Sequence, residues 1–238
     1  MKIAILYSGQ FRAWYGWLDN HQKYLPKGDY FFASWDYEKE RILKYEPKIE
    51  DQMIYYQQPE IKYNLYLGEF AKKYGEEVGK RPFEAHRLYT ASLQHAAHYL
   101  ICTDSRIDGY DIVIRMRYDT VLGNHTMQLT ELCEYVMDTG KAVGIGNSKY
   151  ADDKNQKMTL HMRDFAHDDP DLLFDFMNIH KRENIDNVLQ LIEEEKMFPT
   201  CTGWWQILSK PYKGHRNIKG GIQLTRHLDI YKGKLYGR

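Results

Sequence analysis

Tyr110-Asp111-Ile112-Val113-Ile114-Arg115-Met116-Arg117-Tyr118-Asp119 reads as one buried β-strand whose C-terminal end turns abruptly polar. Side chains alternate along a strand, so Arg115, Arg117 and Asp119 share one face. Ile112, Ile114 and Met116 share the other. Burying two guanidiniums and a carboxylate beside an apolar strand is costly unless they are paired or bind something. One carboxylate does not balance two arginines. Two readings follow: an internal ion-pair cluster around Asp119, or an anion site, most naturally for a diphosphate with a metal or sugar beside Asp119.

Working toward the N-terminus, residues 2–7 form an apolar run suited to a buried parallel strand, followed by Ser8-Gly9-Gln10-Phe11-Arg12, a small polar loop. Ligands of open α/β sheets bind outside such strand ends. Trp14, Trp17, Leu18, His21 and Leu25 then recur at helical spacing up to Pro26, a stripe that reads as core. A second strand over 29–35 ends at Asp36, which suits either a ligand-facing carboxylate or the N-cap of a helix over 37–45. A short strand over 51–57 and a tyrosine-rich helix over 60–75 precede a charged, glycine-bearing loop at 75–81, the candidate lid. Pro82 opens the longest helix, to about Cys102.

Beyond Asp119 the pattern predicts a helix over 129–137 and a strand over 141–146. A short strand over 163–166 carries Asp164. Asp169-Pro170 has the cap-and-proline signature of a helix start, and helical pattern continues to about 196. Strands are expected around 218–224 and 228–231. Alternating strands and helices through the first 120 residues predict a mostly parallel sheet flanked by helices, with a mixed extension near the C-terminus.

The 238 residues suit a single domain, with residues 1–125 as one half and 126–238 as the other. Lys+Arg and Asp+Glu both number 33, so overall charge points to no polyanion. Residues 203–238, however, hold eight Lys/Arg against Asp229 alone, a net of +7 that suits phosphates of a nucleotide or a nucleic acid. Three widely spaced cysteines make neither a zinc site nor a disulfide framework, which predicts a reducing, cytoplasmic setting. The apolar run at the N-terminus is too short for a signal peptide. There is no G-x-G-x-x-G, G-x-x-x-x-G-K-[ST], G-x-S-x-G or H-E-x-x-H, which removes the commonest dinucleotide, P-loop, hydrolase and zinc-protease readings.

Three strand ends carry the polar groups: Ser8/Gln10/Arg12, Asp36, and Arg115/Arg117/Asp119. These stretches, with Ser34-Trp35-Asp36 and Asp164-Phe165-Ala166, resemble a family of bacterial and phage glycosyltransferases. Those proteins have a GT-A-like, Rossmann-type α/β fold, open with an SGQ-x-R loop, and carry R-x-R-x-D in place of D-x-D. The resemblance covers most of the first 170 residues. Beyond them it weakens: Pro199-Thr200-Cys201 stands where family members often show Pro-Glu.

It implies transfer of a sugar from a nucleoside-diphosphate sugar, such as a UDP-sugar, to an acceptor hydroxyl with the help of Mn²⁺ or Mg²⁺. Ser8, Gly9, Gln10, Arg12, Asp36, Arg115 and Arg117 would bind the donor. Asp119 would be the metal-linked acid, joined by a late histidine, either His215 or His227. Asp164 would be the base or an acceptor clamp, its alternative being a buried hydrogen-bonded acid. Trp204 and Trp205 would stack the acceptor or fill the core. A glycan is the family's usual acceptor, while the basic C-terminal segment would also suit hydroxymethylated bases of phage DNA. A non-catalytic nucleotide-binding module is the rival from a different class.

Overall fold

Ile3–Ser8 forms β1, and all six of its side chains are buried, as befits a central strand covered on both faces. The structure is a computed structural model that describes residues 1–57, 97–98, 100–123, 128–146, 177–184, 215–219 and 222–224. β2 is Asp29–Trp35, within which the expected bounds are met, and β3 is Met53–Tyr56. β4 is Ile112–Met116, β5 Thr120–Leu122, β6 Ala142–Gly146, β7 Met177–Lys181, β8 His215–Lys219 and β9 Ile222–Leu224. Seven of them join in one sheet of order β3-β2-β1-β4-β7-β6-β8, and β5 pairs with β9 in a second.

The pairings β1–β2, β1–β4, β2–β3 and β6–β8 are parallel, whereas β7 is antiparallel to both of its neighbours. Six strands of the large sheet therefore run one way and β7 alone runs the other. This is the mostly parallel α/β architecture that the alternation of elements predicts, with the mixed portion toward the C-terminus.

Helices lie on both sides of the sheet. On one face Ile3, Ile5, Tyr7, Phe32, Ile112, Ile114, Met116, Met177, Ile179, Val143 and Ile145 form a single core. α1 (Trp17–Tyr24) and α3 (Leu129–Thr139) pack on it through Trp17, Leu129, Leu132, Cys133 and Val136. The opposite face gathers Ala4, Leu6, Ala33, Ile54 and Val113 against Ile101, Cys102 and Ile107. Residues 97–98 and 100–102 are helical, as the end of the expected long helix should be. α2 (Lys39–Tyr45) follows a 3₁₀ turn, Asp36–Glu38, at the end of β2. Gly28 lets the chain enter β2 close to β1, since a Cβ there would lie 2.7 Å from the Ile3 carbonyl oxygen.

Three expectations are corrected. β4 stops at Met116 rather than Asp119, because Tyr118 turns inward to join the core and donates its hydroxyl to the Ala33 carbonyl at 3.1 Å. Met177–Lys181, within the stretch expected to be helical, form β7, which pairs with β4 and β6, while 169–176 and 185–196 lie outside the described residues. Residues 218–224 are not one strand: β8 ends the large sheet and β9 belongs to the small one. The expectations for 60–75, 75–81, 163–166, the 169–170 helix start and 228–231 lie outside the described residues.

The end of β5, just past the turn that follows β4, is stitched to α1 by the Asn20 side chain. Asn20 Nδ2 donates to the Leu122 carbonyl at 3.0 Å, and its Oδ1 accepts from the Leu122 N–H at 2.8 Å. Asn20→Ala leaves both backbone groups to find other partners and should cost roughly 1–3 kcal/mol. Urea unfolding should show a lower midpoint at unchanged m; an unaltered midpoint would mean that this side chain does not brace the turn.

Candidate functional site

The loop after β1 turns at Gly9, whose φ of 103° lies in the left-handed region that favours glycine. Before it, Ser8 is 3 % exposed, and its Oγ has no hydrogen-bond partner among the described residues. After it, Gln10 and Arg12 are exposed, and Arg12 Nε donates to Gln10 Oε1 at 2.7 Å. The residues between are tied down. Ser34 Oγ contacts the Gly9 carbonyl at 3.1 Å, and the Phe11 N–H donates to Glu38 Oε2 at 2.9 Å. Arg41 bonds both Glu38 Oε1 and the Phe11 carbonyl. Asp36 is exposed at the end of β2, its Oδ1 accepting the Tyr37 N–H at 2.8 Å, so it caps only its own turn.

Across β1, Tyr7 lies opposite Met116, which makes Ser8 and Arg117 the residues that follow that pair on the two neighbouring strands. Arg117 clasps Asp119 with two bonds, Nε to Oδ1 at 2.8 Å and Nη2 to Oδ2 at 2.9 Å. Both oxygens of Asp119 are thus engaged by a fork-on-fork pair, the strongest form of such contact. Arg115 sits elsewhere. It is 1 % exposed and donates from Nη1 to Asn178 Oδ1 on β7 at 3.0 Å. The backbone register therefore puts Ser8 and Arg117 at the C-terminal ends of adjacent strands, and Arg115 lies inside, against the antiparallel strand.

Beneath that edge lies a polar network within the core. His21 Nε2 meets the Thr120 carbonyl at 2.9 Å; a carbonyl only accepts, so Nε2 carries the proton. Nδ1 then accepts from the Tyr7 hydroxyl at 2.8 Å. Trp14 Nε1 donates to the same Thr120 carbonyl at 2.9 Å, and Thr120 Oγ1 donates to the Arg117 carbonyl at 2.8 Å. Burial pushes the His21 imidazole down to about 4, against the opposing pull of its Thr120 bond. His180 on β7 also falls to about 4, chiefly through burial, with the charges of Arg115 and Arg182 adding to the shift. Burial raises the Tyr7 and Tyr118 hydroxyls well above their ordinary values.

No family model matches this chain, and no curated protein matches it in sequence. Solved structures resemble it only remotely. A 4-diphosphocytidyl-2C-methyl-D-erythritol synthase from Anaerococcus prevotii superposes with a TM-score of 0.49 at 10% identity, over 92% of this chain and 87% of that one. The galactosyltransferase LgtC, solved with donor and acceptor sugar analogues, gives 0.46 at 9%, over 90% and 72%. Mouse xyloside xylosyltransferase 1 gives 0.39 at 9%, over 91% and 84%. These likenesses are remote. They lend this chain neither substrate nor mechanism.

His215 opens β8 opposite Ala142, at the end of the sheet away from the loops that follow β1 and β4. β8 is also three strands over from β4, about 14 Å at the usual strand spacing. The structure does not bring His215 to Asp119. Asp164, Trp204, Trp205 and His227 lie outside the described residues. Sequence reasoning missed Glu38 and Thr120, and took His21 only as part of an apolar stripe. The signal for Glu38 is its spacing, two residues past Asp36 where a turn carries the chain back over the β1 loop.

Both buried histidines are neutral in the folded protein but titrate near 6.5 when unfolded. Between pH 6.5 and 4 the unfolded chain therefore binds more protons, and stability falls as pH falls. Going from pH 7 to pH 5 should remove roughly 2 kcal/mol for each histidine. Urea titrations at the two pH values measure this. His21→Gln should remove about half of the histidine-linked loss; an undiminished loss would assign it to other groups.

Proposed function

We propose that this chain transfers a sugar from a nucleoside-diphosphate sugar to an acceptor hydroxyl. The observation that carries the reading is the Ser8 hydroxyl, buried without a described partner at the end of β1, where the paired residues Tyr7 and Met116 lead into Ser8 and into Arg117. An unpaired buried hydroxyl costs on the order of 1–3 kcal/mol, and a phosphate oxygen would supply the missing acceptor. The Arg117 fork fits phosphate as well as carboxylate, so a diphosphate arriving there would compete with Asp119 for it. The resemblance of the Ser8–Arg12 loop and the 110–119 stretch to GT-A-like glycosyltransferases supports a nucleotide-sugar donor, with UDP as its nucleotide.

In such a reaction the acceptor oxygen bonds the anomeric carbon as the bond from that carbon to the β-phosphate oxygen breaks. The electron pair leaves with the diphosphate, whose growing charge Arg117 and Ser8 would stabilise. The acceptor's proton passes to a carboxylate, for which Asp164 is the candidate. Gly9, Gln10, Arg12 and Asp36 would line the nucleoside side, and Trp204 and Trp205 the acceptor side. Residues 1–125 would then serve the donor, and 126–238 the acceptor.

Mn²⁺ and Mg²⁺ require several hard oxygen ligands. Among the described residues no group of three or more His, Cys, Asp or Glu converges, and Asp119 is held by Arg117. The described side chains do not by themselves fit such a cation, and no step here runs through one. If a histidine joins Asp119, His227 is the one to substitute first. β9 ends at Leu224 opposite Thr120, and three residues reach at most about 11 Å.

A thermal-shift screen of nucleoside diphosphates and nucleotide sugars, with and without Mn²⁺, tests the reading. Ligand at a hundredfold excess over its Kd should stabilise wild-type protein by about 2.7 kcal/mol. Ser8→Ala and Arg117→Ala should lose most of that gain, and Arg117→Ala should lose nucleotide-sugar hydrolysis. Full hydrolysis by Arg117→Ala, or no shift with any nucleotide, would sink the assignment. Nucleotide binding without turnover of any sugar donor would mark a non-catalytic module instead. The +7 charge of residues 203–238 is the feature that favours a DNA acceptor, and duplex binding that weakens steeply with salt is its readout.

A further inference from the structure

We infer that Glu38 is a positioning residue that sets the β1 loop and the end of β2 as one donor-binding edge. The inference rests on the nucleotide-sugar reading of that edge. Glu38 is 3 % exposed, and three donors converge on its carboxylate. They are the Phe11 N–H at 2.9 Å, the Ser34 hydroxyl at 2.5 Å and Arg41 Nη2 at 2.9 Å. Arg41 also holds the Phe11 carbonyl, so both polar groups of that residue's backbone are fixed by the Glu38–Arg41 pair. Ser34 reaches the Gly9 carbonyl as well.

The pattern alternates. Phe11 is held by Glu38 and Arg41 and Gly9 lies against Ser34 Oγ, while Ser8, Gln10 and Arg12, the residues with ligand chemistry, alternate with them. Asp36 lies between Ser34 and Glu38 on the pinning segment itself. A buried carboxylate surrounded by three donors is stable only while all three stay in place. Replacing it by an amide turns an NH₂ group toward one of them, donor facing donor. The loop then loses its fixed geometry while the sheet beneath keeps its apolar core. Pre-set geometry of this kind governs how well a site binds, because an unfixed loop must be ordered by the ligand.

The test compares wild type, Glu38→Gln and the exposed-neighbour control Glu40→Gln. UDP and, separately, inorganic pyrophosphate are titrated by calorimetry, and amide exchange of residues 8–12 is followed without ligand. Glu38→Gln, still folding cooperatively, should bind UDP about tenfold more weakly, a difference of about 1.4 kcal/mol, and exchange the Phe11 amide faster. Glu40→Gln should match wild type. Ser34→Ala removes only one of the three donors, so it should show the same changes in smaller measure should Glu38→Gln fail to fold. Wild-type affinity and exchange in either folded variant would overturn the inference. Wild-type protein that binds neither ligand would overturn the donor-site reading, and faster exchange in Glu38→Gln would then leave a loop latch with no role in binding.

Discussion

The Thr120 carbonyl accepts hydrogen bonds from both the Trp14 indole and the His21 imidazole, at 2.9 Å each, with Trp14 and His21 both buried. A backbone oxygen with two such donors is fully satisfied, and the cost of burying it disappears. It is also fixed in place from two directions. Thr120 Oγ1 carries that constraint to the Arg117 carbonyl, and Asn20 carries it to Leu122. The Arg117–Asp119 clasp therefore sits on a turn whose backbone is held from below by α1 and by the segment that leads into it. Neutral His21 is part of the device: a protonated ring would present a donor to the Tyr7 hydroxyl in place of an acceptor.

Charge is handled in two ways within a few residues. Arg117 and Asp119 neutralise one another with close bidentate geometry near the edge of the sheet, where exchange with an incoming anion costs less desolvation. Arg115 is buried with a neutral amide, Asn178, as a partner, and its charge is felt by His180 on the same strand as Asn178. That pair of strands is the place where the sheet changes direction. The guanidinium thus belongs to the packing of β4 against β7, whereas Arg117 belongs to the edge.

Much of the fold was legible in the residues. β1 to β3 follow from apolar runs punctuated by polar strand ends, and β2 keeps the bounds read from its sequence. β7 was missed, and the reason is its length. Met177-Asn178-Ile179-His180 alternates apolar and polar residues, with Met177 and Ile179 in the main core, but so short a run was outweighed by the cap-and-proline signature of a helix start at Asp169-Pro170. The site was half legible. Chemistry-bearing types at strand ends pointed to Ser8, Arg117 and Asp119; Ser8 and Arg117 each follow the paired residues Tyr7 and Met116, and Arg117 bonds Asp119. Pairing of Asp119 with an arginine was one of the two readings of the 110–119 stretch, and the turn after β4 realises it with Arg117, while Arg115 goes to Asn178. Glu38 was passed over because, although Ser34 and Arg41 are near it in sequence, its contact with the β1 loop is to the Phe11 backbone N–H, brought close only by the fold.

The strand order has a consequence in time. β1 is complete by residue 8, but its partner β4 begins at residue 112, and the Lys2 N–H is bonded to the Asp111 carboxylate across 109 residues. At ordinary synthesis rates the ribosome needs roughly 5–20 s to deliver that partner. Through that interval β1 can pair with β2 on one side only. Its other edge, apolar on both faces, waits uncovered in the nascent chain, so the centre of the finished sheet is the last part of its first half to be protected from aggregation.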